Sequence, residues 1–173
     1  AAPEVVVRLL RTLSRASGVA GMAGGQAIDL EMVGAHPDEG ALLRMQSMKT
    51  GALIVAAVLM GAQSGRWEEL SEASKGGLAL YGHSLGIAFQ VVDDILDCTQ
   101  DTATLGKTAG KDEKDDKPTW VSILGLDGAR ERARALRADA QRGLDLIAQD
   151  PSVPEGALVR LTEIADYVVA RSY

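Results

Sequence analysis

Cysteine, aromatic residues and proline are scarce in this sequence of 173 residues. The single cysteine, Cys98, cannot form a disulfide within the chain, which favours a reducing compartment such as the cytoplasm. Aromatic residues make up 3 % of the chain, so its core must be built mainly from aliphatic side chains. Few prolines in a chain rich in alanine and leucine favour helix over strand.

A basic surface and a long apolar run are also missing. The formal net charge is −6, which argues against a nucleic-acid partner because phosphate backbones attract basic proteins. The longest apolar run, residues 51–62, is too short to cross a bilayer, and the first residues lack the basic region of a signal peptide. We therefore expect neither a nucleic-acid partner nor a membrane span.

Apolar residues recur at helical spacing through almost the whole chain, and no segment shows the alternation typical of a strand. The pattern predicts an all-α chain without a second domain. Helices are predicted over residues 3–16, 19–32, 38–62, 67–98, 127–148 and 154–171. A polar loop is predicted over residues 99–118, between the helices predicted over residues 67–98 and 127–148. The first helix is expected to bury one apolar stripe, formed by Val6, Leu9, Leu10 and Leu13.

The segment 89–97 is the strongest candidate for a functional site. On a helix its polar side chains stand at i, i+3, i+4 and i+7, which places them on one face: Gln90, Asp93, Asp94 and Asp97. Three neighbouring carboxylates repel one another, and a bound cation relieves that repulsion. Mg²⁺ shared with substrate phosphates is the commonest such case. Taken without its surroundings, an acidic cluster of this kind is more often a solvated surface.

A glycine-bounded loop with cationic side chains follows the acidic segment. It covers residues 106–112 and contains Lys107 and Lys111, and Lys117 comes soon after. Ammonium groups beside metal-binding carboxylates suit a diphosphate, whose charge is neutralised by metal and by direct cationic contacts. The two neighbouring segments together favour a site for a phosphorylated substrate.

Several segments together resemble the trans-isoprenyl diphosphate synthases. They occur in the order expected for that family and cover essentially the whole chain: residues 24–30, 48–53, 89–97, 105–112, 117–120 and 124–130. Among them, residues 89–97 with residues 105–112 resemble the second aspartate-rich region of the family. The resemblance is closest to bacterial farnesyl and geranylgeranyl diphosphate synthases.

The resemblance implies the all-α isoprenoid synthase fold and a homodimeric prenyltransferase. Its reaction would condense isopentenyl diphosphate with an allylic prenyl diphosphate, assisted by Mg²⁺. The implied metal ligands are Asp93, Asp94 and Asp97. The implied catalytic residues are Asp93, Asp94, Lys49, Thr50 and Gln90. The implied substrate contacts are Lys49, Lys107, Lys117, Phe89, Gln90 and Gln26. For Phe89 and Gln26, a packing role is the alternative.

The first aspartate-rich motif of the family, its paired arginines and its Gly-Lys-Arg segment do not occur in this sequence. We therefore expect residues 1–173 to be the carboxyl-terminal half of one synthase domain, whose amino-terminal half lies outside them, and to be inactive alone. The side chains that control product length precede the first motif in the family, so the product is not predicted. Two alternatives stay open: a non-catalytic regulatory partner of a complete synthase, and a related terpene cyclase.

Overall fold

The computed structural model describes residues 2–104 and 118–171, with side chains for residues 2–99 and 118–171. These residues form helices and no strand, so the all-α class predicted from the sequence is confirmed. The elements in chain order are α1 (Pro3–Ser17), α2 (Met22–Glu31), α3 (Glu39–Gln46), a π-helical turn (Ser47–Gly51), α4 (Ala52–Gln63), a 3₁₀ turn (Trp67–Glu69), α5 (Glu72–Thr104), α6 (Trp120–Ala148) and α7 (Val159–Ala170).

Several helix boundaries differ from the predicted ones; α2, α5 and α7, for example, begin three to five residues later than predicted, at Met22, Glu72 and Val159. The segment 38–62 is three elements rather than one helix, because the π turn at Ser47–Gly51 separates α3 from α4. The helix α5 continues to Thr104, into the predicted loop. The helix α6 begins earlier than predicted, because Thr119 and Ser122 form a reciprocal capping box ahead of its kink at Gly125.

The central helix α5 packs mainly on α6. The two helices cross where both carry a glycine, and a Cβ on Gly143 would lie 2.6 Å from the Gly77 carbonyl oxygen. A side chain at either position would force the two backbones apart. The core along this crossing is mostly aliphatic, and its fully buried members include Tyr81, Ile87, Val91, Val92, Ile95, Trp120 and Leu144. The Tyr81 hydroxyl donates to the Leu161 carbonyl at 2.7 Å, which ties α5 to α7.

The predicted buried stripe of α1 is mostly exposed. Val6, Leu10 and Leu13 are 42 %, 58 % and 43 % exposed, whereas Leu9 is partly buried. The contact between α1 and α4 instead includes polar groups, with the Thr12 hydroxyl donating to Gln63 Oε1 at 3.0 Å. The prediction was wrong for these three residues because helical spacing locates an apolar stripe without specifying whether another element covers it.

One segment in the described part of the chain, Glu39–Gln63, is long and apolar enough to cross a membrane. It is longer than the apolar run seen in the sequence because α3 and the π turn continue directly into α4. Its mean hydropathy is 1.3 over the most apolar stretch of 18 residues within it. The core helix of a soluble protein gives the same signal, so this is weak evidence for a membrane span.

Asp150 ties the connection between α6 and α7 to the beginning of α5. Its carboxylate accepts hydrogen bonds from the Ser71 N–H at 2.8 Å and the Ser74 hydroxyl at 2.7 Å. It also accepts from the Ser152 N–H at 3.0 Å and the Ser152 hydroxyl at 2.7 Å. The bonds from Ser74, Ser152 and Ser71 stabilise the ionised form and hold the pKa of Asp150 well below its ordinary value.

Replacing Asp150 with asparagine is expected to lower the melting temperature by several degrees at neutral pH, because an ionised acceptor is lost from this network. Since the folded-state pKa is depressed, the carboxylate stabilises the fold above its unfolded-state pKa of about 4 and loses that contribution as the pH falls further. Urea unfolding of parent and variant measures this. The difference in their free energies of unfolding should be constant above about pH 5 and shrink below about pH 4.

The control for this prediction is Asp145→Asn, because Asp145 lies exposed on α6 and accepts a hydrogen bond from Gln141 at 2.9 Å. It should change stability little at any pH. A difference for Asp150→Asn that persists unchanged to about pH 3 would contradict the assignment of the effect to its carboxylate.

Candidate functional site

The three predicted metal ligands lie in the carboxyl-terminal part of α5. Asp93 and Asp94 are partly exposed and Asp97 is exposed. Burial raises the pKa of Asp94 to about 6, and repulsion from Asp97 and Asp93 adds to the shift. Hydrogen bonds from the Trp120 backbone and the Gln46 side chain oppose it. The charges of Asp97 and Asp93 are therefore close enough to Asp94 to disfavour its ionisation.

Asp94 is anchored by residues from two other elements. The Trp120 N–H, at the start of α6, donates to Asp94 Oδ2 at 2.7 Å. The Gln46 side chain, at the end of α3, lies close enough to the same carboxylate to lower its pKa. Gln46 also accepts a hydrogen bond from the Trp120 indole N–H through its Oε1. Sequence reasoning did not find Gln46 as a site residue, because neither its type nor its spacing relates it to the aspartates.

Lys49 lies in the π turn, and its ammonium group pairs with Asp29 of α2 at 2.7 Å. The two elements meet backbone to backbone, since a Cβ on Gly25 would lie 2.2 Å from the Lys49 backbone nitrogen. A π-helical turn inside a longer helix is often found at functional sites. In this structure Lys49 therefore contacts Asp29, a partner that the sequence analysis did not predict for it.

The end of α7 reaches the aspartates as well. The Arg171 guanidinium lies 5.6 Å from the centre of the Phe89 ring and 3.7 Å from Asp93 Oδ1. Its charge thus lies beside both an aromatic face and a carboxylate. The sequence analysis missed Arg171, because a single arginine at the end of an amphipathic helix carries no motif.

The remaining predicted residues are placed as follows. Gln26 is partly exposed on α2, one turn before Asp29, and Thr50 is partly exposed beside Lys49 in the π turn. Gln90 is partly exposed on α5, one turn before Asp93 and Asp94. Lys107 and Lys117, and with them the predicted lysine loop, lie outside the residues that the structure describes.

The donor chemistry of the aspartates fits Mg²⁺ shared with a ligand. Among residues 2–99 and 118–171, no three His, Cys, Asp or Glu side chains are arranged so that together they could hold a metal ion. Mg²⁺ is commonly held by one or two carboxylates, with substrate phosphates and water completing its shell. Asp94, whose pKa is raised by burial and by the charges of Asp97 and Asp93, offers hard oxygen donors that suit that arrangement. They do not form a closed metal site made only of protein.

A separate cavity of about 540 Å³ contains none of the predicted site residues. It lies between α4, the beginning of α5 and the segment joining α6 to α7, and its apolar lining includes Val58, Ala62, Leu70, Leu78 and Leu161. The predicted chemistry and this cavity are therefore at different places in the fold.

The sequence matches the family described as polyprenyl synthetase over residues 4–147, which is more than half of the chain. The chain belongs to the polyprenyl synthetase family. The resemblance to the trans-isoprenyl diphosphate synthases is thereby confirmed.

Proteins similar to this chain are named as farnesyl or geranylgeranyl diphosphate synthases. The chain is similar to a farnesyl diphosphate synthase of Escherichia coli, with 46 % identity over 179 residues, 98 % of this chain and 56 % of the relative. It is similar to a chloroplastic geranylgeranyl pyrophosphate synthase of Arabidopsis thaliana, with 40 % identity over 98 % of this chain and 46 % of the relative.

A solved structure shares the fold. It is a geranyltransferase of Helicobacter pylori complexed with magnesium and isoprenyl diphosphate, 30 % identical, with a TM-score of 0.72 over 98 % of this chain and 52 % of that one. The chain therefore spans about half the length of the polyprenyl synthetases it matches.

Proposed function

We propose that this chain is part of a prenyltransferase that condenses isopentenyl diphosphate with an allylic prenyl diphosphate. The observation that carries the proposal is the set of three aspartates on α5, where the charges of Asp97 and Asp93 act on Asp94, in a member of the polyprenyl synthetase family. Residues 1–173 would form the carboxyl-terminal helical half of one synthase domain. The complete enzyme would be a homodimer in the cytoplasm.

In this reaction negative charge builds on the leaving diphosphate, and the enzyme has to stabilise that charge. The allylic carbon–oxygen bond breaks and its electron pair leaves with the diphosphate, while the double bond of isopentenyl diphosphate supplies the electrons of the new carbon–carbon bond. A proton is then lost, which restores a double bond. Mg²⁺ held by Asp93, Asp94 and Asp97 would neutralise the charge that builds on the departing diphosphate.

The cationic side chains would bind the same diphosphate directly. Lys49 has three N–H donors, so it can keep its 2.7 Å contact with Asp29 and still donate to a diphosphate oxygen. The ion pair would hold the flexible lysine side chain in place before the substrate binds. Lys107 and Lys117 would supply further donors to the diphosphate.

The remaining polar and aromatic residues would contact other parts of the two substrates. The hydroxyl of Thr50 and the side-chain carbonyl of Gln90 would direct negative dipole ends toward the developing allylic cation. Phe89 would line the isopentenyl site, and Gln26 would support the diphosphate end from α2. Neither the described residues nor the relatives favour the regulatory-partner or the terpene-cyclase alternative.

The test is an assay of the longest natural form of the protein with Mg²⁺, labelled isopentenyl diphosphate, and dimethylallyl, geranyl or farnesyl diphosphate as the allylic substrate. We expect Mg²⁺-dependent formation of a longer prenyl diphosphate, whose chain length identifies the product. Chelation of the metal should abolish it. A folded preparation that elongates none of these allylic substrates would contradict the proposal.

A further inference from the structure

Glycine contacts hold the π turn between α2 and α5. On the α5 side, a Cβ on Gly86 would lie 2.8 Å from the Gly51 Cα. On the α2 side, a Cβ on Gly25 would lie 2.2 Å from the Lys49 backbone nitrogen. A Cβ does not approach backbone atoms so closely, so each contact requires glycine. The backbone of the turn that carries Lys49 and Thr50 is therefore fixed from both sides.

The helices α4 and α5 run antiparallel where they touch. Gly51 lies against Gly86, and one turn further along α4 Val55 lies against Gly82, where a Cβ would be 3.0 Å from the Val55 Cα. In an antiparallel pair, the residues that precede Gly51 run beside those that follow Gly86. The π turn therefore lies beside the part of α5 that leads to the aspartates.

The face of α5 that meets the π turn continues into the candidate site. Residues 86, 90, 93 and 97 are spaced so that they share one face of the helix. Exposure increases along this face, because Gly86 is buried, Gln90 and Asp93 are partly exposed, and Asp97 is exposed. The contact between Gly86 and Gly51 thus lies at the end of the covered part of this face, one turn before its first polar side chain.

We propose that Gly86 is a positioning residue, which lets α5 approach the π turn closely enough for Lys49 and Thr50 to act on the same substrate as the α5 aspartates. This inference rests on the proposed function, because it requires both groups to contact one allylic diphosphate. Gly86 itself touches neither the substrate nor the reacting atoms. A misplacement of about 1 Å between such groups can lower a rate by roughly 10²-fold.

The effect of a wider spacing is expected on kcat rather than on KM. The side chain of Lys49 is long and flexible, so it can follow the diphosphate when the turn moves. Thr50 has a short, β-branched side chain that is stiff at χ1, so its hydroxyl moves with the backbone and away from the developing allylic cation. An interaction made only in the transition state lowers kcat and kcat/KM equally when it is lost.

Gly86→Ala in the longest natural form of the protein tests this spacing. We expect kcat for Mg²⁺-dependent prenyl transfer to fall at least about tenfold, with the KM of each substrate changed less than about threefold. The affinity for Mg²⁺ with inorganic diphosphate, measured by calorimetry, should also change less than about threefold, because the aspartates and the flexible lysine are retained. Crystal structures of parent and variant should show a longer separation between the Cα atoms of residues 51 and 86.

Two other glycines of α5 provide matched controls. A Cβ on Gly76 meets nothing within 4 Å at an exposed position, so Gly76→Ala should keep kcat within about twofold of the parent. Gly82→Ala creates a tight contact with Val55 one turn farther from the aspartates, and it should lower kcat less than Gly86→Ala. Equal losses of kcat for Gly82→Ala and Gly86→Ala would mean that any separation of α4 from α5 has this effect, and would overturn the specific role of Gly86.

The remaining outcomes separate this inference from the proposed function. If the parent elongates an allylic substrate and folded Gly86→Ala keeps the parental kcat, the positioning role is wrong and the proposed function stands. If the parent elongates none of the allylic substrates, the proposed function fails and this inference fails with it. Loss of the folded state in Gly86→Ala, seen by circular dichroism, would make Gly86 a packing residue and also overturn the inference.

Discussion

Replacing Asp93 with alanine is expected to lower kcat/KM for the proposed prenyl transfer by about 10²- to 10³-fold, the range found when one group that stabilises developing charge is removed. The Asp93 carboxylate is 47 % exposed, so a ligand can reach it, and its charge adds to the repulsion at Asp94. Loss of that carboxylate would weaken cation binding where the leaving diphosphate gathers charge. Steady-state rates in the longest natural form of the protein measure the effect.

A raised Mg²⁺ concentration should recover part of the activity of Asp93→Ala, because a weakened metal site is filled by mass action. The control is Asp127→Ala. Asp127 is 99 % exposed near the start of α6 and pairs only at 3.4 Å with Arg130, so its removal should change the rate less than about twofold. Similar rates for the two variants would mean that the α5 aspartates are a solvated surface.

Replacing Trp120 with alanine is expected to lower the free energy of unfolding by about 3–5 kcal/mol, the usual cost of truncating a buried aromatic side chain. Trp120 is the largest of the fully buried side chains described. The variant would lose the indole hydrogen bond to Gln46 and the contact with the Arg132 guanidinium, which lies 5.5 Å from the ring centre. For a chain of this length, the melting temperature should fall by roughly 10 °C.

Calorimetric or urea unfolding of Trp120→Ala beside Trp67→Ala checks this prediction. Trp67 is partly exposed in the 3₁₀ turn, where the Lys75 ammonium lies 5.2 Å from its ring centre. Its truncation should cost only about 1 kcal/mol, typical of a partly exposed position. Equal losses for the two tryptophans would show that Trp120 does not anchor the junction of α5, α3 and α6.

Local sequence patterns were sufficient for the helical class and for the acidic segment. Helix spacing depends only on neighbours along the chain, so Asp93, Asp94 and Asp97 could be placed on α5 before any tertiary contact was known. Family membership was also within reach, because it rests on residue identities in sequence order. The metal and substrate roles of these residues stay predictions.

Tertiary structure decided which side chains hold the site residues. The hydrogen bond between Gln46 and Trp120 joins residues 74 apart in the chain, and the pair of Lys49 with Asp29 joins residues 20 apart. It also decided that Val6, Leu10 and Leu13 lie exposed, although their spacing predicts a buried stripe. Periodicity specifies one face of one helix, whereas burial and long-range hydrogen bonds depend on where helices cross and how closely their backbones approach. Those crossings follow from the packing of all the helices together, as at Gly77 and Gly143.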